Sequence, residues 1–244
     1  MRHPTLQKIL WWLCLCVAPL VLVVIELFHP AGFTAKPPGM YDYLSKPEPY
    51  DPKFKALGYF GPQWWFALHM IQTPMVALVA IGLWMLASFT NASTNLLVLL
   101  LAWISRISTF VFFIYYTALD SIGGFGLART ILITESMKNQ GELTPDQLKG
   151  VINVLNNTWV DSWVGGVSSF ISETGSWAAF AAALLVALAL LIDSKISLMP
   201  ALLLIAFGWE LQMSHTMPHG PIAFASLLVA GIWIWRSNRS RIGA

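Results

Sequence analysis

Six separate runs of apolar residues, at 9–28, 62–89, 95–119, 176–192, 196–214 and 219–235, constrain this chain more than any other feature of it. They are 17 to 28 residues long, and a helix needs about 20 apolar residues to cross the hydrocarbon of a bilayer. Unbroken runs of this length read as helices, because barrel strands are shorter and alternate in polarity. The sequence therefore predicts an all-α polytopic membrane protein with six transmembrane helices in one integral-membrane domain over 1–244. Composition agrees: 57% of the residues are hydrophobic and 11% charged, against about 25% charged in a soluble domain. A net charge of +2 without a dense Lys/Arg block leaves no footprint for nucleic acid. The partners expected are membrane lipid and other membrane subunits.

Lys and Arg beside the spans set the expected orientation, since positively charged flanks stay cytoplasmic. With six spans, Arg2, Lys8, Lys195, Arg236, Arg239 and Arg241 share one side, and the short turn 215–218 opposite them carries none. Both termini are expected on the cytoplasmic side of a plasma or inner membrane. The first run exceeds the 7 to 15 residues of a signal-peptide core, carries Glu26 and lacks a clean cleavage site, so it reads as a retained anchor. Trp11, Trp12, Trp233 and Trp235 suit the inner interface, and Trp64, Trp65 and Trp177 the outer one. Two outer segments remain, 29–61 and 120–175, and the sequence predicts an extracytoplasmic cap of loops and a short amphipathic helix. Gly123, Gly124 and Gly126 are expected to break the third helix. Thr144 before Pro145, Asp146 and Gln147 reads as a helix start, and the apolar spacing over 159–171 predicts an amphipathic helix.

Ionisable side chains at membrane depth are costly and are functional candidates by default. At about 1.5 Å of rise per residue, Glu26 lies about 25 Å, His29 about 30 Å, and His69 and Glu210 about 20 Å above the inner boundary. His215, His219 and Asp120 end their spans at the outer boundary. Glu26 and His29 are three apart and share a helix face, and Glu-x-x-His is a unit that helical-bundle metal proteins use. The metal ligands expected are Glu26, His29, His69, Glu210, His215 and His219, with Asp120 as the catalytic general base or a supporting acceptor. Zinc, copper and iron suit such donors. The alternation of Met213, His215, Met217 and His219 puts thioethers and imidazoles on one side of an extended segment, and so favours copper.

His215 and His219, spaced His-x-x-x-His with a third histidine and an aspartate elsewhere, resemble in part the zinc site of the alkaline ceramidase and adiponectin receptor superfamily. The chain departs from that family in having six spans instead of seven, Trp65 where a serine would precede His69 by four, and a Pro-broken hairpin at the last histidine pair. The resemblance implies a zinc-bound water beside a carboxylate, cutting an amide or ester in the outer leaflet.

Two readings stand open: a membrane metallohydrolase or redox protein with an outward-facing site, and a non-catalytic subunit or scaffold binding partner proteins or lipid. Arg106 bears on the choice, because a buried cation needs a counter-charge and Glu210 lies at a similar estimated height. If they pair, Glu210 leaves the ligand set. A bis-histidine haem joining His69 to His215 or His219 is a further variant. Phosphate loops, zinc ribbons and nucleophile elbows are missing from the sequence. Cys14 and Cys16, two apart on a helix, do not face each other and read as small packing residues.

Overall fold

A computed structural model of the chain describes residues 4–29, 39–45, 61–166 and 168–238. Most of the expected outer loop 29–61, together with Arg2, His3, Arg239 and Arg241, lies outside them. All regular structure among the described residues is helical. In order it runs α1 (Pro4–Trp12), a π-helical turn (Leu13–Val17), α2 (Ala18–Glu26), α3 (Met40–Leu44), α4 (Gly61–Ser88) and α5 (Leu96–Leu119). A second π-helical stretch (Asp120–Gly126) then leads to α6 (Leu127–Asn139), α7 (Pro145–Trp159), α8 (Phe170–Ile192), α9 (Leu198–Met213) and α10 (His219–Ser237). Five helical segments are long and apolar enough to cross a membrane: Thr5–Glu26, Gly61–Ser88, Leu96–Asn139, Phe170–Ile192 and His219–Ser237. The sixth, α9, is apolar but shorter, with 16 residues. The chain is an all-α polytopic membrane protein, as the six apolar runs predict.

The chain divides into two compact units, the first made of Met1–Leu27, Pro74–Ile114 and Thr174–Ala244, the second of Phe28–Thr73 and Tyr115–Glu173.

In the first unit, small residues let helices approach closely, which is how helices associate where lipid supplies no hydrophobic drive. A Cβ on Gly208 of α9 would lie 2.8 Å from the Ala183 Cβ of α8 and 3.0 Å from the Phe180 Cα. The π turn at Leu13–Val17 is accommodated the same way. A Cβ on Gly82 of α4 would meet Leu15 at 2.7 Å, and one on Gly231 of α10 would meet the Leu15 carbonyl at 2.6 Å. Trp11 donates its indole N–H to the Gly231 carbonyl at 3.3 Å and packs against Trp235 and Phe89, so these tryptophans sit together at one end of the unit. The turns 89–95 and 193–197 lie at that same end, joined by a 2.8 Å hydrogen bond from Ser93 to Asp193.

In the second unit, α3, α6 and α7 enclose an aromatic core of Tyr41, Tyr43, Trp65 and Trp159 with Met40, Leu44, Ile131 and Leu155. α3 is pinned from both sides: the Tyr41 N–H donates to Asn156 of α7 at 3.0 Å and the Tyr41 hydroxyl donates to Glu135 of α6. Thr144 begins α7 as expected, in a reciprocal capping box with Gln147.

The third helix is interrupted among the expected glycines: at Gly124 the backbone leaves helical geometry (φ −90°, ψ −106°), within the π-helical stretch that joins α5 to α6. In an apolar environment a frank break strands backbone polar groups, whereas a π turn keeps most of them bonded. The expectation of an amphipathic helix over 159–171 is corrected, because that helix is not formed. α7 stops at Trp159, and the Asp161 carboxylate takes the N–H groups of Trp163 and Val164 at 2.8 and 2.9 Å, a local turn that competes with helix. Gly166 then lies against the Trp159 ring, where a Cβ would clash. The apolar period at 163–171 belongs to this turn and to the start of α8, whose span opens at Phe170, not 176.

Candidate functional site: a buried histidine pair

The seven candidate residues divide between the units. His29, His69 and Asp120 belong to the second; Glu26, Glu210, His215 and His219 belong to the first.

In the second unit, His69 is positioned by its own helix. Its Nδ1 lies 2.8 Å from the Trp65 carbonyl four residues earlier, and a carbonyl only accepts, so Nδ1 carries a proton and donates it. Gly124 gives the ring its room, since a Cβ there would lie 2.5 Å from the His69 ring carbons. The indole N–H of Trp65 donates to the Gly123 carbonyl within the π stretch at 3.0 Å. Trp65 and His69 therefore both lean on the one segment where the long helix departs from α geometry.

His29 faces the same pair. Its ring centroid is 5.3 Å from that of His69 and 5.1 Å from that of Trp65, and His29 and His69 are only 2% and 3% exposed. Asp120, the first residue of the π stretch, is equally buried. The Thr73 hydroxyl lies 2.9 Å from both Asp120 Oδ2 and the His69 carbonyl, and so ties the carboxyl group to the turn that carries His69. Gln72 donates to the Tyr116 hydroxyl at 2.7 Å, extending the buried polar layer. Trp65, Thr73 and Gly124 were missed as site residues. The signal for the first two was present, since 65, 69 and 73 fall on one helix face.

In the first unit, Glu210 and His219 join, with Nδ1 2.7 Å from Oε2 across the turn between α9 and α10. Glu26 is fully buried and packs beside Gly220, where an added Cβ would sit 3.3 Å from the Glu26 Cβ. His215 lies in the turn, and desolvation pushes its imidazole down to about 4. The run from Met213 to His219 is bent at 215–218, not extended, so the expected one-sided row of Met and His does not form.

The expected pairing of Arg106 with Glu210 is overturned. Arg106 Nη2 donates to the Ala87 carbonyl at 3.0 Å and to Asn91 Oδ1 at 2.5 Å, while Glu210 is engaged by His219. A long Arg side chain can fold back to the end of a neighbouring helix, and its own depth along α5 misleads about where its charge sits.

Among the described residues no three His, Cys, Asp or Glu side chains gather closely enough to hold a metal ion. What the second unit brings together is two imidazoles, with a carboxyl group one hydroxyl away from the backbone of one of them. No family model, no curated protein and no solved structure matches this chain.

Proposed function

We propose that this membrane protein works through the histidine pair of its second unit, with His29 and His69 as the two protein ligands of a transition-metal ion whose other positions would be taken by water or a small ligand. The observation carrying this reading is the 5.3 Å between the ring centroids. With metal–nitrogen bonds of about 2.0 to 2.1 Å and a tetrahedral angle, two imidazoles on one ion have centroids about 5 Å apart. The hydrogen bond from His69 to the Trp65 carbonyl is the kind of support that orients ligating imidazoles. A two-imidazole site of this sort suits zinc, copper or iron, and Asp120 is the carboxylate this reading assigns to general-base duty in a metallohydrolase or redox protein. This reading assigns no ligand role to Glu26, Glu210, His215 or His219.

The test is metal analysis of the full chain in detergent, followed by titration with zinc and copper. One equivalent of ion, lost in His29→Ala and in His69→Ala but kept in His215→Ala, is the expected result. No stoichiometric ion, or an ion kept by both variants, removes the reading.

A second reading, a non-catalytic membrane subunit, has its own support in α5. Leu96, Leu100, Trp103, Ile107, Phe110 and Ile114 are all exposed at spacings of four and three, the pattern of a helix–helix seam. Co-purification of a stoichiometric partner subunit, lost when Ile107 and Phe110 are replaced by Ala, would favour it.

A further inference from the structure

Arg106 is 5% exposed, yet none of the carboxylates of its unit reaches it. Those carboxylates are Glu26, Asp193 and Glu210. Asp193 is taken by Ser93 at 2.8 Å and Lys195 at 3.4 Å, and Glu210 by His219. Glu26 packs beside Gly220 at the start of α10, at the opposite end of that helix from Trp235 and the 193–197 turn. A buried cation without a counter-charge is strongly unfavourable, and among the described residues of its unit no carboxylate supplies one, so an anion from outside would be favoured there.

The guanidinium is built to receive it. Of its five N–H donors, only those on Nη2 are bonded to described residues, to the Ala87 carbonyl and Asn91 Oδ1. Nε and Nη1 keep theirs. The charge lies 4.8 Å from the ring centroid of Trp103 and 5.8 Å from that of Trp84. Both indoles are largely exposed on the outside of the unit, 57% and 44%, as interfacial tryptophans are. The side chain starts about 15 Å along α5, by ten residues of rise, but returns its charge to the 87–91 end, the level at which snorkelling cations meet headgroups. Lys8, Lys195 and Arg236 belong to the same end, where Asp193 is the acid, so the local field is positive.

We propose that Arg106, flanked by Trp103 and Trp84, binds the phosphate of a membrane phospholipid. The three remaining N–H donors supply hydrogen bonds to phosphate oxygens, and the indoles hold the glycerol region beside them. The site is independent of the histidine pair.

Native mass spectrometry of the full chain in detergent tests this, with phosphatidylglycerol, phosphatidylcholine and diacylglycerol of equal chain length, and with inorganic phosphate as competitor. The wild type should retain one phospholipid but no diacylglycerol, and millimolar phosphate should not displace it. Arg106→Gln and Trp103→Leu should each lower retention by about fivefold or more, the effect of one cation at a membrane surface, while Lys8→Gln leaves it unchanged. Equal retention of diacylglycerol overturns the proposal, and so does full displacement by inorganic phosphate, which assigns the site to a soluble anion. Should Arg106→Gln fail to fold, Trp103→Leu decides, because its ring is exposed; unchanged retention there is also fatal.

Discussion

Gly124 and His69 show how one atom sets the centre of the second unit. A methyl group at 124 would stand 2.5 Å from the imidazole, and a buried ring against a π stretch has little room to retreat. Gly124→Ala should destabilise the protein by about 1 to 3 kcal/mol, the usual cost of overpacking, in reversible unfolding in mixed micelles, and should lower any metal occupancy of the pair. Wild-type stability would show that the ring moves freely. His215 makes a separate prediction in pH. Its ordinary value near 6.5 falls to about 4 through desolvation, so between those values the unfolded chain binds a proton that the folded chain does not. Stability is therefore complete above about pH 6.5 and declines as pH falls toward 4. His215→Gln should flatten that part of the stability profile, and an unchanged slope would assign the acid sensitivity to other groups.

Helices were legible in the sequence where the bilayer dictates them, and illegible where local chemistry competes. The apolar runs locate α4, α5, α9 and α10 and the end of α8 to within two residues, and Thr144-Pro145 marks the start of α7, because length and capping are local properties. The glycines at 123–126 mark the kink at Gly124, while the π geometry around it, which keeps most backbone groups bonded, has no signature in the sequence. The segment 159–171 misled because its periodicity was real but Asp161 took the N–H groups first. Within the site, residue types and depth single out His29 and His69, whose ring centroids lie 5.3 Å apart. Heights along separate helices carry no information about azimuth, so Glu210 was as eligible for Arg106 as for His219. The capping box offers a test at this scale. Thr144→Ala removes one of the two reciprocal bonds and should cost about 1 kcal/mol, read as faster hydrogen exchange in the first turn of α7 with α8 unaffected. Unchanged exchange there would mean that α7 is held by its packing on α3 alone.

The first unit carries an argument about how often the whole chain crosses the bilayer. Trp11 of α1 lies 6.0 Å from Trp235 of α10, and Asn238 donates to the Lys195 carbonyl at 3.2 Å. The start of the chain, the 193–197 turn and the end of α10 thus meet at one end of the unit, which requires an even number of crossings. Five long apolar helices alone would give an odd number, so α9 must also cross. Its 16 residues rise about 24 Å, short of the roughly 30 Å of hydrocarbon. A deficit of that size is absorbed by local thinning of the bilayer at a fraction of a kcal/mol per ångström. Lys8, Lys195 and Arg236 at the shared end make the cytoplasmic side the expected one for it by the positive-inside rule. In a background where Cys14 and Cys16 are replaced by Ala, cysteines introduced at Ala92 and at Ser240 should both resist a membrane-impermeant thiol reagent in intact cells and react after permeabilisation, while one at Thr216 reacts from outside. Labelling of 92 and 240 from opposite sides would mean that α9 does not cross, and labelling of both from outside would invert the orientation.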